Sequence, residues 1–145
     1  MSYATWHTYG FGVCISEVGD IPVIRMIELL KTAPETKKDI FLWLGKKGIS
    51  EPETEDILAY DEESRLGLAT ILQMVIQEAE GIYLAACDDF DGRTYLLYEQ
   101  ALPWQIAENE KNLTEESVRK IFQKYFSILT DAEVTIDYQS VENGG

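Results

Sequence analysis

Histidine occurs once in these 145 residues and cysteine twice, and basic side chains number only 12 against 26 acidic ones. Each shortage excludes something. His7, Cys14 and Cys87 fall outside any CxxC or mixed Cys/His spacing, so no zinc pattern is present. Nor is there a nucleophile elbow, a P-loop or a kinase signature. The GFG at 10–12 is not a dinucleotide loop, because Ile15 stands where GxGxxG needs its third glycine. No apolar run approaches the length of a membrane span. The opening MSYATWHTYGFG lacks the basic segment and apolar core of a secretory signal. Cys14 and Cys87 stand in apolar, strand-like surroundings and read as buried thiols; a bridge would need their Cα atoms within about 7 Å. A cytoplasmic protein is expected.

What is present is acid. The formal net charge is −14, and it is unevenly spread. Residues 1–50 carry five acids and six Lys/Arg, a net of +1, whereas 51–145 carry twenty-one acids and six bases, a net of −15. Direct binding of nucleic-acid phosphates draws its affinity from Lys and Arg displacing counterions, and this chain is poor in both. Anionic membrane surfaces are disfavoured for the same reason. At this length a single domain buries about 70% of the surface its unfolded chain exposes, so no disulfide or metal staple is needed.

Periodicity predicts nine elements in the order β-α-α-α-α-β-β-α-β. A first strand over 3–15 alternates Tyr9, Phe11, Val13 and Ile15 with Gly10, Gly12 and Cys14, and the small face implies a bulge or a close-packed helix. Asp20 and Pro22 open a helix to about Ala33. A second, over 35–47, carries IFLWL and stops at Gly48; its apolar run is too wide for one buried face, so it is either deeply buried or a partner surface. Ser50 and Glu53 suggest a capping box for a short helix over 51–60. The fourth, over 64–79, is apolar almost all round and should be central. A final helix over 115–129 is capped by Thr114, with Leu113 and Val118 as its hydrophobic staple, and precedes a strand over 133–139 and a frayed tail from 140 to 145. Grouped helices with one hairpin argue for a single α+β domain, 1–145, with a four-stranded antiparallel or mixed sheet.

The hairpin contains the densest acidic motif, CDDFDGRTY at 87–95. Asp91-Gly92 fits a two-residue type I′ turn, which pairs residues summing to 183, so that Asp88 faces Tyr95 and Ala86 faces Leu97. Apolar residues on both faces near its base place this hairpin inside the sheet. Asp88, Asp89 and Asp91 could serve a metal-dependent hydrolase or transferase. Against that, Asp88 and Asp89 alternate to opposite faces, and an EF-hand fails because Arg93 and Gln100 occupy ligand positions. No metal, cofactor or catalytic residue is assigned. His7 reads as structural. Trp6, Trp43 and Trp104 could line a pocket or anchor an interface.

Residues 50–63 superficially suggest a helix–turn–helix reader, yet they hold seven acids and no Lys or Arg. Phosphates would be repelled. The reverse role fits: carboxylates displayed on helices resemble nucleic acid to a protein that binds it. The candidate binding residues are Glu51, Glu53, Glu55, Asp56, Asp61, Glu62 and Glu63, set against the simpler reading of an ordinary solvated helix face.

The runs YGFGVCI, LTEESVRKIFQKYFSIL and DYQSVENGG resemble small acidic accessory proteins carried by phages and mobile elements of gut bacteria. The resemblance implies inhibitors of host nucleic-acid-binding machinery as company, and it carries over no functional residue. The expectation is therefore a non-enzymatic binding protein acting on a basic, nucleic-acid-binding protein partner. A homo-oligomeric structural domain is the third alternative.

Overall fold

The computed structural model describes residues 6–61, 67–89, 92–98 and 114–143, with 6–9, 61, 142 and 143 described through their backbone alone. Strand β1 (Trp6–Cys14) runs into a 3₁₀ turn at Ile15–Glu17 and then helices α1 (Val23–Lys31), α2 (Pro34–Lys46), α3 (Thr54–Leu58) and α4 (Leu68–Glu80). Strands β2 (Ala85–Asp88) and β3 (Thr94–Tyr98) follow, then α5 (Glu115–Leu129) and β4 (Ile136–Asn143). The domain is α+β, in the expected order. All pairings are antiparallel, and the strands lie β2-β3-β1-β4 across the sheet. Among the described residues no helix is long and apolar enough to cross a membrane.

The alternation in β1 sends Phe11 and Val13 to one face, where Leu96 and Ile136 join them, and the apolar sides of α1, α2, α4 and α5 close over this layer. Met26, Leu29 and Leu30 of α1, Ile40 and Leu44 of α2, Ile71, Leu72, Val75 and Ile76 of α4, and Phe122 and Tyr125 of α5 are fully buried in it. Helix α4 is central, as its near-continuous apolar surface requires. On the opposite face of the sheet Leu97 and Val141 are buried as well.

Gly10 and Gly12 make this sheet possible. A Cβ on Gly12 would collide with the Leu96 carbonyl oxygen and lie 2.9 Å from Leu97 Cα; one on Gly10 would lie 2.8 Å from Leu97 Cβ. The small face of β1 therefore accommodates its neighbour β3, and not a helix or a bulge.

Four further details depart from the sequence expectation. The hairpin pairs residues summing to 182, with Ala86 opposite Leu96, Cys87 opposite Tyr95 and Asp88 opposite Thr94. Asp89 N donates to Arg93 O (2.9 Å), so the connection is three residues long, 90–92, and Gly92 takes the left-handed conformation (φ +80°) at its end. Burial selects this register, because it turns Ala86 and Leu96 together toward the helices. The hairpin is also not wholly interior, since β2 forms an edge. Helix α3 is capped three residues later than Ser50: Glu53 N donates to Asp56 Oδ2 (2.9 Å), which starts the helix at Thr54. Finally, β4 runs past Gln139 to Asn143, where it faces Trp6. Residues 140–143, expected to fray, are held because β1 offers them partners and Val141 is buried. The Thr114 cap holds as expected, with Ser117 N donating to its Oγ1 (3.1 Å); Leu113, the other half of the staple, lies outside the described residues.

One long-range contact joins the helical layer internally. Pro34 opens α2 without a side-chain cap of its own. Glu78, from the last turn of α4, supplies the missing acceptors: Oε1 receives Thr36 N (2.7 Å) and Thr36 Oγ1 (2.8 Å), and Oε2 receives Glu35 N (3.1 Å). Desolvation pushes the Glu78 carboxyl up, but the three hydrogen bonds outweigh it and hold the group below the ordinary glutamate value.

Two stability measurements follow from these contacts. In urea unfolding, Gly12→Ala should cost about 1–3 kcal/mol through overpacking against β3. Gly45→Ala, on α2 with nothing within 4 Å of an added Cβ, should instead gain about 0.5–1 kcal/mol. Glu78→Ala should cost about 1 kcal/mol at neutral pH, the usual value of a lost helix cap. Because the folded carboxyl is depressed, its contribution is fully present above the unfolded glutamate value and disappears as pH falls through the lower folded value. The variant should therefore show a shallower loss of stability on acidification than the parent.

Candidate acidic groove

Helix α3 lies against the segment that links β1 to α1. Thr54 Oγ1 donates to the Ile21 carbonyl (2.6 Å), which pins the first residue of the helix to that segment. Between them runs a groove of about 550 Å³. Ile15, Ile21, Val23, Leu58 and Leu68 supply its apolar lining, and Asp20, Glu53 and Glu55 its charge; among the described residues no Lys, Arg or His lines it.

Of the seven carboxylates singled out from sequence, the groove brings together Glu53 and Glu55. Glu51 is exposed in the turn before α3 but does not line it. Asp56 is half-buried and serves as the acceptor for Glu53 N, so its role is to start the helix. Asp61 ends the 3₁₀ turn Ala59–Asp61, with only its backbone described, and Glu62 and Glu63 lie outside the described residues. Asp20 is the residue that sequence reasoning missed as a site member. Gly19-Asp20-Ile21-Pro22 signalled a helix start, but nothing in that pattern says that α3 folds back against it.

Among the described residues, no hydrogen bond or ion pair engages the carboxylates of Asp20, Glu51 or Glu55. Some acids elsewhere are occupied: Asp131 holds Arg25 (2.8 Å), Glu115 accepts from Tyr138 Oη (3.0 Å), and Glu80 lies 3.5 Å from Lys124. Asp39 and Glu133, by contrast, are exposed and, like the three above, engage no described residue. A second concavity of about 500 Å³ lies between α5 and the segment leading to β4. The Arg119 guanidinium there donates to the Ile136 carbonyl (2.8 Å) and lies 5.0 Å from the Phe11 ring, so its charge is already committed.

The hairpin tip is built differently. Asp89 Oδ1 accepts from Arg93 N (2.9 Å) and Oδ2 from Tyr95 Oη (3.1 Å), so both oxygens tie the hairpin to itself. Asp88 is exposed, and Asp91 lies outside the described residues. Among the described residues, no group of three or more His, Cys, Asp or Glu side chains is placed to hold a metal ion. The Tyr95 phenol is pushed up to about 12 by burial first, and then by its bond to Asp89 and the nearby charges of Cys14 and Asp89.

Cys14 and Cys87 both face Tyr95, from strands on either side of it. Two strand spacings separate them, about 9.5 Å, which exceeds the reach of a disulfide. Neither is in a disulfide. The apolar run of α2 resolves between its two alternatives: Ile40 and Leu44 are fully buried, Phe41 and Trp43 half-buried beneath Lys37 and Lys47, and Leu42 exposed. His7 stands opposite Glu142 in the β1–β4 ladder, and Trp104 lies outside the described residues.

No protein-family model matches the chain, and neither a curated protein nor a solved structure matches it.

The role assigned to Asp89 has a spectroscopic consequence. Asp89→Asn removes the charge that opposes ionisation of Tyr95, so the Tyr95 pKa, followed by ¹³C NMR of its labelled ring, should fall from about 12 toward 10 without reaching it, because burial persists. An unchanged titration would show that the Tyr95–Asp89 hydrogen bond does not hold in solution.

Proposed function

We propose that the protein is a non-enzymatic acidic binding protein that acts on a basic, nucleic-acid-binding protein partner and competes there with phosphates. The observation that carries this reading is the pair of carboxylates, Asp20 and Glu55, that no described residue neutralises, gathered where α3 meets the β1–α1 segment, with Glu51 exposed just before α3. Acids that cap helices or pair with Lys and Arg have their charge spent locally, whereas unneutralised ones project a field. Residues 51–145, Glu51 and Glu55 included, carry a net −15 in all. A basic partner is steered by that field over the screening length, about 8 Å at physiological ionic strength, before short-range contacts form. The resemblance to accessory proteins of phages and mobile elements supports the same reading. Cytoplasmic action fits too, since Cys14 and Cys87 stand too far apart in the sheet for a disulfide.

A partner captured from host extract at low and high salt supplies the material for the test. Association should slow about tenfold or more as salt rises, with dissociation changing less. The variant D20N/E51Q/E53Q/E55Q, which spares the helix-starting Asp56, should keep its fold and weaken binding chiefly through the association rate. Unchanged affinity in that variant would overturn the acidic-surface mechanism.

A further inference from the structure

The apolar lining of the groove distinguishes it from the rest of the acidic surface, which needs only charge to attract a partner. We propose that this groove is a receptor for a single arginine side chain of the partner, its methylenes lying on Ile15, Leu58 and Leu68 and its guanidinium meeting Glu55, Glu53 and Asp20 at the margin. The inference rests on the function proposed above and names the chemistry at its contact point.

Three observations converge on this occupant. The first is shape: about 550 Å³ is far more than a water molecule or a bare cation fills, and accommodates a long side chain with part of its backbone. The second is the lining. Five aliphatic side chains would gain nothing from a hydrated ion, but they match the three-carbon stem of arginine, which packs on apolar surface while its head stays at the polar edge. The third is charge complementarity: among the described residues every ionisable one lining the groove is acidic, and Asp20 and Glu55 carry no partner among them. Arginine suits this better than lysine. Its planar guanidinium offers five donors, can bridge more than one carboxylate, and is more weakly hydrated than an ammonium, so it loses less on leaving water. Glu53 is held at the margin by the capping box of α3, in which its backbone N–H donates to Asp56 and its carboxylate accepts from the Asp56 N–H, so it offers the guanidinium only its remaining acceptor capacity.

The test uses the intact protein and three peptides that differ at one central position, arginine, lysine or citrulline, in an otherwise uncharged glycine–serine sequence. Backbone amide shifts at Gly19, Thr54 and Leu58 report occupancy. The arginine peptide should bind about threefold or more tighter than the lysine peptide, and the citrulline peptide not measurably. Isotope-filtered NOEs should run from the arginine methylenes to the methyl groups of Ile15, Leu58 and Leu68. Val23→Trp, which fills the groove without altering charge, should abolish the arginine preference; the NOEs on the parent protein provide the same information if that variant does not fold. Equal binding of arginine and lysine without methylene NOEs would overturn the groove receptor while leaving the charge-driven reading standing. No binding of any peptide would overturn the receptor outright. The charge-driven reading falls separately, on the salt dependence of the whole partner.

Discussion

The backbone of β3 approaches β1 so closely at Gly10 and Gly12 that no side chain fits between them on that face. From this contact the rest of the arrangement follows. It makes β1 an inner strand with β3 on one side and β4 on the other, and leaves β2 to the edge. The residues between and after the glycines, Phe11 and Val13, are then committed to the opposite face, where they meet the helices. Phe11 collects Phe122 of α5 and Tyr138 of β4 edge-on, at 6.5 and 5.3 Å, and Arg119 over its ring. A bulky residue at 12 would therefore disturb both the ladder and the docking of α5, although it touches neither core nor helix.

Much of this was legible in the chain. Strict alternation in β1, the Thr114 cap and the apolar stripe of α5 are local signals, and local signals survive folding. What could not be read was which partner each face would meet. The glycine face announced a close neighbour, but strand and helix demand the same small residues. The hairpin register is selected by the burial of Ala86 and Leu96, and Asp89, taking Arg93 N and Tyr95 Oη, closes it against the two-residue turn that Asp91-Gly92 favours in isolation. The end of β4 was invisible for a similar reason, because SVEN is neutral in propensity and is ordered by pairing with β1.

The candidate site was half legible. The acidic run from 50 to 63 is evident from composition, and Glu53 and Glu55 do line a groove. Asp20 is 33 positions from Glu53 in sequence, and only the hydrogen bond from Thr54 to Ile21 explains why they share a surface. Composition also treats all carboxylates alike. Asp56, counted with its neighbours as a binding residue, is spent on a helix start, and Glu78, which drew no attention on an apolar helix, is the cap that joins α4 to α2.

This division of labour among acids bears directly on how a chain with 26 of them and 12 bases stays folded. Like charges crowded on a small domain repel, and every carboxylate that receives backbone N–H groups relieves part of that repulsion while satisfying donors that would otherwise lack partners. Glu78, Asp56 and Asp89 do so at the starts of α2 and α3 and at the hairpin tip. Glu115 and Asp131 are met instead by side chains, Glu115 by Arg119 and Tyr138 and Asp131 by Arg25. Asp20, Glu51 and Glu55 lie outside this scheme, since no described side chain or backbone group bonds to their carboxylates, although Glu55 still faces the positive end of α3 from its first turn. Charge that no described group engages is available to something outside the fold, and at Asp20 and Glu55 it borders a groove floored by the edges of the core residues Ile15, Ile21 and Leu68.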